Sequence, residues 1–242
     1  MEQNNNLTKY DFEFNNEILS MIGRSWIQSD HDIIAQVFLQ KMFSMNHMVQ
    51  NNNLMNYYGY LSENNFNPTL IDAGGNIGAA SLYFNKIFPK LKTISIEPDI
   101  ENAELLRKNL SGLNVEIVHG ALADKDGILL LDTKNFGPIG YRVGAIGNVE
   151  IAAYSIPSIV KKFSINDRPF ILKIDIEGGE DLLFSGLNSW IKDFPLIIIE
   201  LHDWMLPFTN VSKNFYKAIS NYNFDLINYG ENTFCFNQDF LK

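Results

Sequence analysis

The sequence predicts an α/β protein: a mostly parallel sheet covered by helices on both faces. Three observations carry that expectation. From Asn67 onward, short apolar runs alternate with stretches of helical rhythm, as repeated β-α units require. The first run, "TLIDAG", breaks at once into the bare turn "GGNIG", Gly74 to Gly78. The longest apolar run, "PLIIIEL", is too short to cross a membrane and has the length of a buried strand.

The elements follow in order. "TLIDAG" reads as a strand and "IGAASLYFNKIF" as a helix ended by Pro89. "KTISIEP" is the next strand, followed by the helix "DIENAELLRKNL" with Asp99 as its cap. "NVEIVHG" is a third strand. A glycine-dotted section with Gly127, Gly137, Gly140, Gly144 and Gly147 reads as hairpins and an ordered loop. Pro157 opens a short helix, "PSIVKKF". The strand "FILKIDIE", the helix "EDLLFSGLNSWI" and the strand "PLIIIELHD" come next. The helix "VSKNFYKAI" precedes a hairpin, "FDLINYGENTFCF", that turns at Gly230.

Residues 1–62 read as an N-terminal helical extension, and residues 63–242 as the main domain. In the extension, Asn4–Asn6 and Asn51–Asn53 bracket "SDHDIIAQVFLQKMFSMNHM". Ile33, Ile34, Val37, Phe38 and Met42 recur there at helix spacing, and Ser29 with Asp32 resembles a capping box. The Met and Phe stripe is expected to pack against the main domain and not to hold a cofactor.

Composition narrows the function classes. With 46% hydrophobic and 13% aromatic residues, the 242-residue chain can bury a substantial core. A net charge of −9 argues against a nucleic-acid partner, which needs clustered Lys and Arg. The single Cys235 excludes an internal disulfide and fits a reducing compartment. "MEQNNNLTKYDFEF" lacks the basic and apolar regions of a secretory signal, so a soluble cytoplasmic protein is expected.

The glycine turn points to a ligand. In sheets of this kind ligands bind beyond the carboxyl ends of the strands, where the first β-α turn comes close. The spacing G-x-N-x-G at Gly74, Asn76 and Gly78 differs from the dinucleotide pattern G-x-G-x-x-G. Asp72, just before the turn, would repel a pyrophosphate and welcome an ammonium or a sulfonium. At the end of the second strand, Glu97 is placed to accept hydrogen bonds from both hydroxyls of a ribose. Together these features signal S-adenosylmethionine.

The chain resembles the FkbM family of S-adenosylmethionine-dependent methyltransferases. The resemblance rests on "IDAGGNIGAAS", "SIEPD", "HGALADKDG", "ILKIDIEGGEDLLFSG" and "IIIELHD", roughly Asn67 to Asp203; "SDHDIIAQVF" also resembles the segment preceding the domain there. It implies a Rossmann-like methyltransferase fold, a mostly parallel seven-stranded sheet with an antiparallel last strand, which "NTFCF" would supply. Gly179 stands where the family often has Ala. The resemblance further implies that Asp72, Gly74, Gly75, Asn76 and Gly78 shape the turn and hold the methionine end. Glu97 would take the ribose, Pro98 would lie beside the adenine, and Ala121 and Leu122 would form the adenine wall.

A second constellation lies in "KIDIEGGE" and "ELHD". Period two puts Lys173, Asp175 and Glu177 on one face of their strand, and Glu200 with His202 on one face of the next. His202 and Asp175 are candidate bases, with Glu177 in the same catalytic cluster; a hydroxyl acceptor must lose its proton as its oxygen takes the methyl. Asp175 with Glu200 is the pair through which Mg²⁺ or Ca²⁺ would bind, although the sequence shows no dedicated ligand set. Glu180 and Asp181, at a helix start, read as charges that favour the helix dipole. Tyr141 and Arg142, in "NFGPIGYRVGAIGN", are placed to meet a sugar-like acceptor.

The expected function is therefore O-methylation of a sugar, glycan or natural-product hydroxyl. A nicotinamide oxidoreductase is the first alternative, disfavoured by the glycine spacing and by the lack of a Tyr-x-x-x-Lys pair. A non-catalytic S-adenosylmethionine-binding scaffold is the second.

Overall fold

A computed structural model of the chain describes residues 7–133, 142–144 and 146–242. It begins with a hairpin that helical periodicity does not reveal. Strands β1 (Leu7–Phe14) and β2 (Glu17–Arg24) pair antiparallel, with Phe14 opposite Glu17. The two residues between them, Asn15 and Asn16, both have positive φ, 50° and 63°, as a tight two-residue hairpin turn demands. Tyr10, Phe12 and Phe14 point inward from β1, and Phe12 and Phe14 pack on Phe38.

The predicted single helical stretch is broken. Helix α1 (Gln28–Ile34) runs into a π-helical turn, Ala35–Leu39, and a separate helix, α2 (Gln50–Glu63), follows. The expected capping box does not form: Ile27 is the N-cap, without a side-chain bond, and Asp32 instead accepts from Gln28. Buried Asp30 binds Arg24, also buried, through its backbone amide and guanidinium. Arg24 in turn donates to Asn102, so this pair ties the hairpin to the main sheet's flanking layer.

The β-α alternation then proceeds through β3 (Asn67–Ala73), α3 (Ala79–Ile87), β4 (Lys92–Glu97), α4 (Ile100–Asn109) and β5 (Val115–His119). Asp99 caps α4 as expected, accepting from the Asn102 amide at 2.8 Å. The glycine-dotted section gives β6 (Ala121–Ala123), β7 (Gly127–Asp132), β8 (Arg142–Gly144) and β9 (Val149–Ser155), a separate four-stranded sheet. Tyr141 and the Arg142 side chain lie outside the described residues. After α5 (Ile156–Val160) come β10 (Asp167–Ile174), α6 (Glu180–Leu183) and β11 (Leu196–Glu200). The helix expected over "EDLLFSGLNSWI" is only α6 and a 3₁₀ turn, Ser189–Asp193. Helix α7 (Lys213–Ile219), strands β12 (Phe224–Tyr229) and β13 (Asn232–Asn237), and α8 (Gln238–Leu241) complete the order.

The central sheet has seven strands in the order β12-β13-β11-β10-β3-β4-β5. Strands β11, β10, β3, β4 and β5 pair in parallel, and β13 runs antiparallel to both of its neighbours. This is the Rossmann-like methyltransferase arrangement. Alternation along β3, β11 and β13 divides their side chains between two cores. Leu70, Leu196, Ile198, Phe234 and Phe236 face a layer built with α2, α3 and the N-terminal residues. Ile71, Ile197, Ile199 and Cys235 face the layer holding α5 and α7. Burial pushes the Cys235 thiol pKa up, which leaves it an inert core group. Among the described residues no helix is long and apolar enough to cross a membrane.

Candidate active site

The carboxyl ends of β3, β4 and β10 open on one cleft, and backbone packing shapes its floor. Gly74 has φ +80°, and a Cβ there would drive into the carbonyl oxygen of Asp175. Only glycine lets the first β-α turn lie this close to the end of β10, where the Asp175 amide also donates to Ala73 O at 3.1 Å. Asn76, at φ 47°, continues the turn.

The cleft has a volume of about 950 Å³ including its open mouth. Gly74, Gly75, Asn76, Glu97, Pro98, Ala121 and Leu122 line it, as do Asp175 and Glu177. Three predicted residues are set apart from this lining: Gly78, Asp72 and the buried His202. Gly78, at φ +95°, shapes the turn against Leu110. Asp72 is fully buried, accepts from Ser81 at 2.6 Å and stands 3.2 Å from Lys173 Nζ. It reaches the cleft only through that lysine. Lys173 also donates to Gly74 O at 2.8 Å and lies 3.5 Å from Asp175. Burial works against its charge, yet Asp72 and Asp175 outweigh that and push its pKa up. The lysine is thereby fixed as a buried cation bracing both turns.

Glu97 occupies the opposite end. Its Oε2 accepts from the Asn76 amide at 2.7 Å and its Oε1 from the Asp99 amide at 2.9 Å. Burial nevertheless pushes its pKa up to about 7, against the pull of those two amides. Oε1 also accepts a longer bond from the Asn102 side-chain amide at 3.4 Å, so Oε2, with one donor, is the oxygen left with room for a further one such as a hydroxyl.

The N-terminal residues supply a wall the sequence did not suggest. Ile33, Met42 and Phe43 line the cleft beside Ala79 and Ala80. The Met and Phe stripe packs as expected, and part of it also faces the ligand space. No local pattern marks this, because the partner surface lies on α3.

At the other end, four carboxylates surround one imidazole. His202 sits on a 3₁₀ turn, His202–Trp204, just past β11, and is 1% exposed. Its Nδ1 lies 2.9 Å from Glu180 Oε1. Its Nε2 stands 3.7 Å from Asp175, 3.5 Å from Glu177 and 3.5 Å from Glu200. Burial works against a charged imidazole, but the Glu180 hydrogen bond and the surrounding carboxylates push its pKa up to about 9. The surrounding acids therefore favour the charged imidazole. Burial pushes Glu177 up to about 7, and burial beside Asp175 pushes Glu200 up as well.

The convergence is real, though period two explains only part of it. β10 ends at Ile174, so Asp175 lies just beyond it, and Glu177 is in a turn with φ 54°. His202 likewise lies past the end of its strand. Glu180, expected only to favour the helix dipole, has a further role. It is fully buried against His202, so it holds an imidazole in addition to any effect on the short helix α6. Its signal was an acid within the same turn as Asp175 and Glu177; its partner on another strand gave none.

The residues suit a cationic nucleoside thioether better than a diphosphate. Glu97, Asp175 and Glu177 line the cleft, and its buried lysine is already engaged. An anion would meet these acids without a free cation among the described lining residues.

No curated protein matches the chain. Among solved structures it is similar to a precorrin-6y C5,15-methyltransferase from Geobacter metallireducens GS-15, at 10% identity and TM-score 0.39, covering 77% of this chain and 84% of that one. A methyltransferase from Geobacter sulfurreducens is 17% identical with TM-score 0.36, over 75% and 76% of the two chains. A SAM-dependent O-methyltransferase from Thermotoga maritima is 13% identical with TM-score 0.37, over 90% and 65%. Likenesses this distant carry no argument on their own. Residues 72–227, however, match the model of the methyltransferase FkbM domain, well over half of the chain. The chain belongs to the FkbM methyltransferase family.

Proposed function

We propose that the chain transfers a methyl group from S-adenosylmethionine to a hydroxyl of a sugar, glycan or natural-product acceptor. The observation that carries this reading is one cleft with Glu97 at one end and the Asp175–Glu177–His202 cluster at the other. Residues 1–62 act as an extension that walls the donor space, and residues 63–242 as the catalytic domain.

Bound S-adenosylmethionine supplies a methyl group on a positively charged sulfur. The chain's own residues bind, orient and move a proton. Glu97 accepts from the two ribose hydroxyls, and Pro98, Ala121 and Leu122 give the base an apolar slot. Gly74, Gly75 and Asn76 let the methionine portion lie against backbone. Asp175 and Glu177, with side chains 26% and 27% exposed, face the acceptor's side of the cleft. One of them takes the acceptor hydroxyl proton as the oxygen approaches the methyl carbon. His202 stands behind them, held in orientation by Glu180, and its positive charge keeps the carboxylates together. Holding the reacting atoms in line is itself worth up to ~7–11 kcal/mol in well-oriented systems.

Methyl-labelled S-adenosylmethionine and a panel of hydroxylated acceptors test this reading. The expected result is acceptor-dependent formation of a methyl ether. Glu177→Gln and Asp175→Asn should lower kcat, the larger loss by about 10²-fold or more. Transfer to nitrogen or carbon alone, or undiminished turnover in both variants, would contradict it.

A further inference from the structure

The cluster around His202 carries an inference about a ligand of its own. Asp175, Glu200 and His202 each offer one atom to a set that lies within 4.8 Å of one another. They come from three places: the turn after β10, the end of β11, and the 3₁₀ turn that follows it. Glu200 is held in β11, Asp175 by its amide's bond to Ala73 O and His202 by its bond to Glu180, so the three groups are placed by the protein itself.

A second observation concerns the imidazole alone. His202 is almost wholly buried and hydrogen-bonds through Nδ1 to Glu180, whereas among the described residues no hydrogen bond ends on Nε2. That atom is aimed between Asp175, Glu177 and Glu200 at 3.5–3.7 Å. A charged N–H···O⁻ bond would draw in to about 2.7–2.9 Å. Donor atoms sharing a tetrahedral ion at about 2.0–2.2 Å stand about 3.3–3.6 Å apart, which the distances from Nε2 to Asp175 and Glu200 approach, while the whole set spans up to 4.8 Å and would draw in around an ion. A carboxylate on the far imidazole nitrogen is also the partner that orients metal-binding histidines.

Charge points the same way. Asp72, Asp175, Glu177, Glu180 and Glu200 crowd two cationic side chains, Lys173 and His202, and Lys173 is committed to Asp72 and Gly74. A divalent ion at Nε2 would take the place of that nitrogen's proton and, carrying one more positive charge, offset the excess negative charge.

We propose that Asp175, Glu200 and His202, with Glu177 in reach, form a binding site for a divalent transition-metal ion, Mn²⁺ or Zn²⁺. One imidazole among carboxylates suits these ions, whereas Mg²⁺ and Ca²⁺ favour all-oxygen sets. Asp175 and Glu177 also line the cleft, so the open side of the site faces the acceptor space. There an ion would polarise the acceptor hydroxyl, a role that rests on the methyl-transfer reading; the binding of the ion does not.

The test uses full-length protein stripped of metal by chelation and titrated with Mn²⁺, followed by electron paramagnetic resonance, and with Zn²⁺, followed by calorimetry. Saturable binding of one ion per chain is expected. Asp175→Asn and Glu200→Gln should each weaken it at least about tenfold while the melting temperature stays near that of the parent. Glu97→Gln, at the far end of the cleft, should leave it unchanged. Absence of saturable binding up to about 1 mM, or binding that survives both Asp175→Asn and Glu200→Gln, would overturn the site. S-adenosylmethionine binding is measured alongside. Donor binding without ion binding overturns this inference alone, and ion binding without donor binding overturns only the methyl-transfer reading.

Discussion

Single residues in this chain act through partners that are distant in sequence, and Asp167 shows how strongly. It is buried, 2.6 Å from Lys92 Nζ, and accepts from Asn67 and from the Ser164 amide. Burial alone would raise its pKa; Lys92 and the hydrogen bonds outweigh that and hold it down at about 2. A carboxyl depressed on folding stabilises the protein above its unfolded pKa and loses that effect as the pH falls through the folded one. About 2 kcal/mol should therefore be present above about pH 4 and vanish towards pH 2. Urea unfolding of Asp167→Asn against the parent should show that difference at pH 7 and a much smaller one near pH 2. Glu97 follows the opposite sign, because burial raises it to about 7. Ribose hydroxyls favour its ionised form, so donor affinity should fall about tenfold between pH 8 and pH 6. A Glu97→Gln variant, weaker throughout, should lose that pH dependence in calorimetry.

Elements differ in how plainly the sequence declares them. The β-α order, the Asp99 cap and the Gly230 hairpin were legible, because each rests on contacts within a few residues. The hairpin β1–β2 was legible in principle, since Tyr10, Phe12 and Phe14 alternate and Asn15–Asn16 favours positive φ; the stronger helical spacing just downstream masks it. What could not be read was how this extension attaches. Arg24 meets Asn102, and Asn109 bonds the backbone of both Ile22 and Ile77, pairings that span up to 87 residues. Asp30→Ala should leave Arg24 charged, buried and underpartnered, at a cost of about 3–5 kcal/mol. Because Ile33, Met42 and Phe43 wall the cleft, donor affinity should weaken with it. Thermal melting and calorimetry on the same variant would check both effects, and unchanged values would contradict the extension's part in the site.

For the whole molecule, the sheet brings two turns together that the sequence separates by about a hundred residues. The "GGNIG" turn and the "DIEGGE" turn touch at Gly74 and Asp175, and Lys173 braces both. Gly74→Ala should push these turns apart and cost several kcal/mol, read as a large drop in melting temperature and loss of donor binding. The candidate site was half visible for the same reason. Residues named by a local motif were found, whereas Glu180 and the apolar wall depend on folding across the sheet. Asp72, read as facing the ligand, is instead sealed beneath Lys173, a distinction that only packing reveals.

The cleft is built to recognise a cationic adenosyl thioether. Calorimetric titration of the purified chain with S-adenosylmethionine, beside a parallel titration with NADH, tests this most directly. Saturable binding of the first is expected at one site per chain, weakened at least about tenfold by Glu97→Ala, and none of the second. Binding of NADH, or no heat from S-adenosylmethionine at millimolar concentration with folded protein, would contradict it.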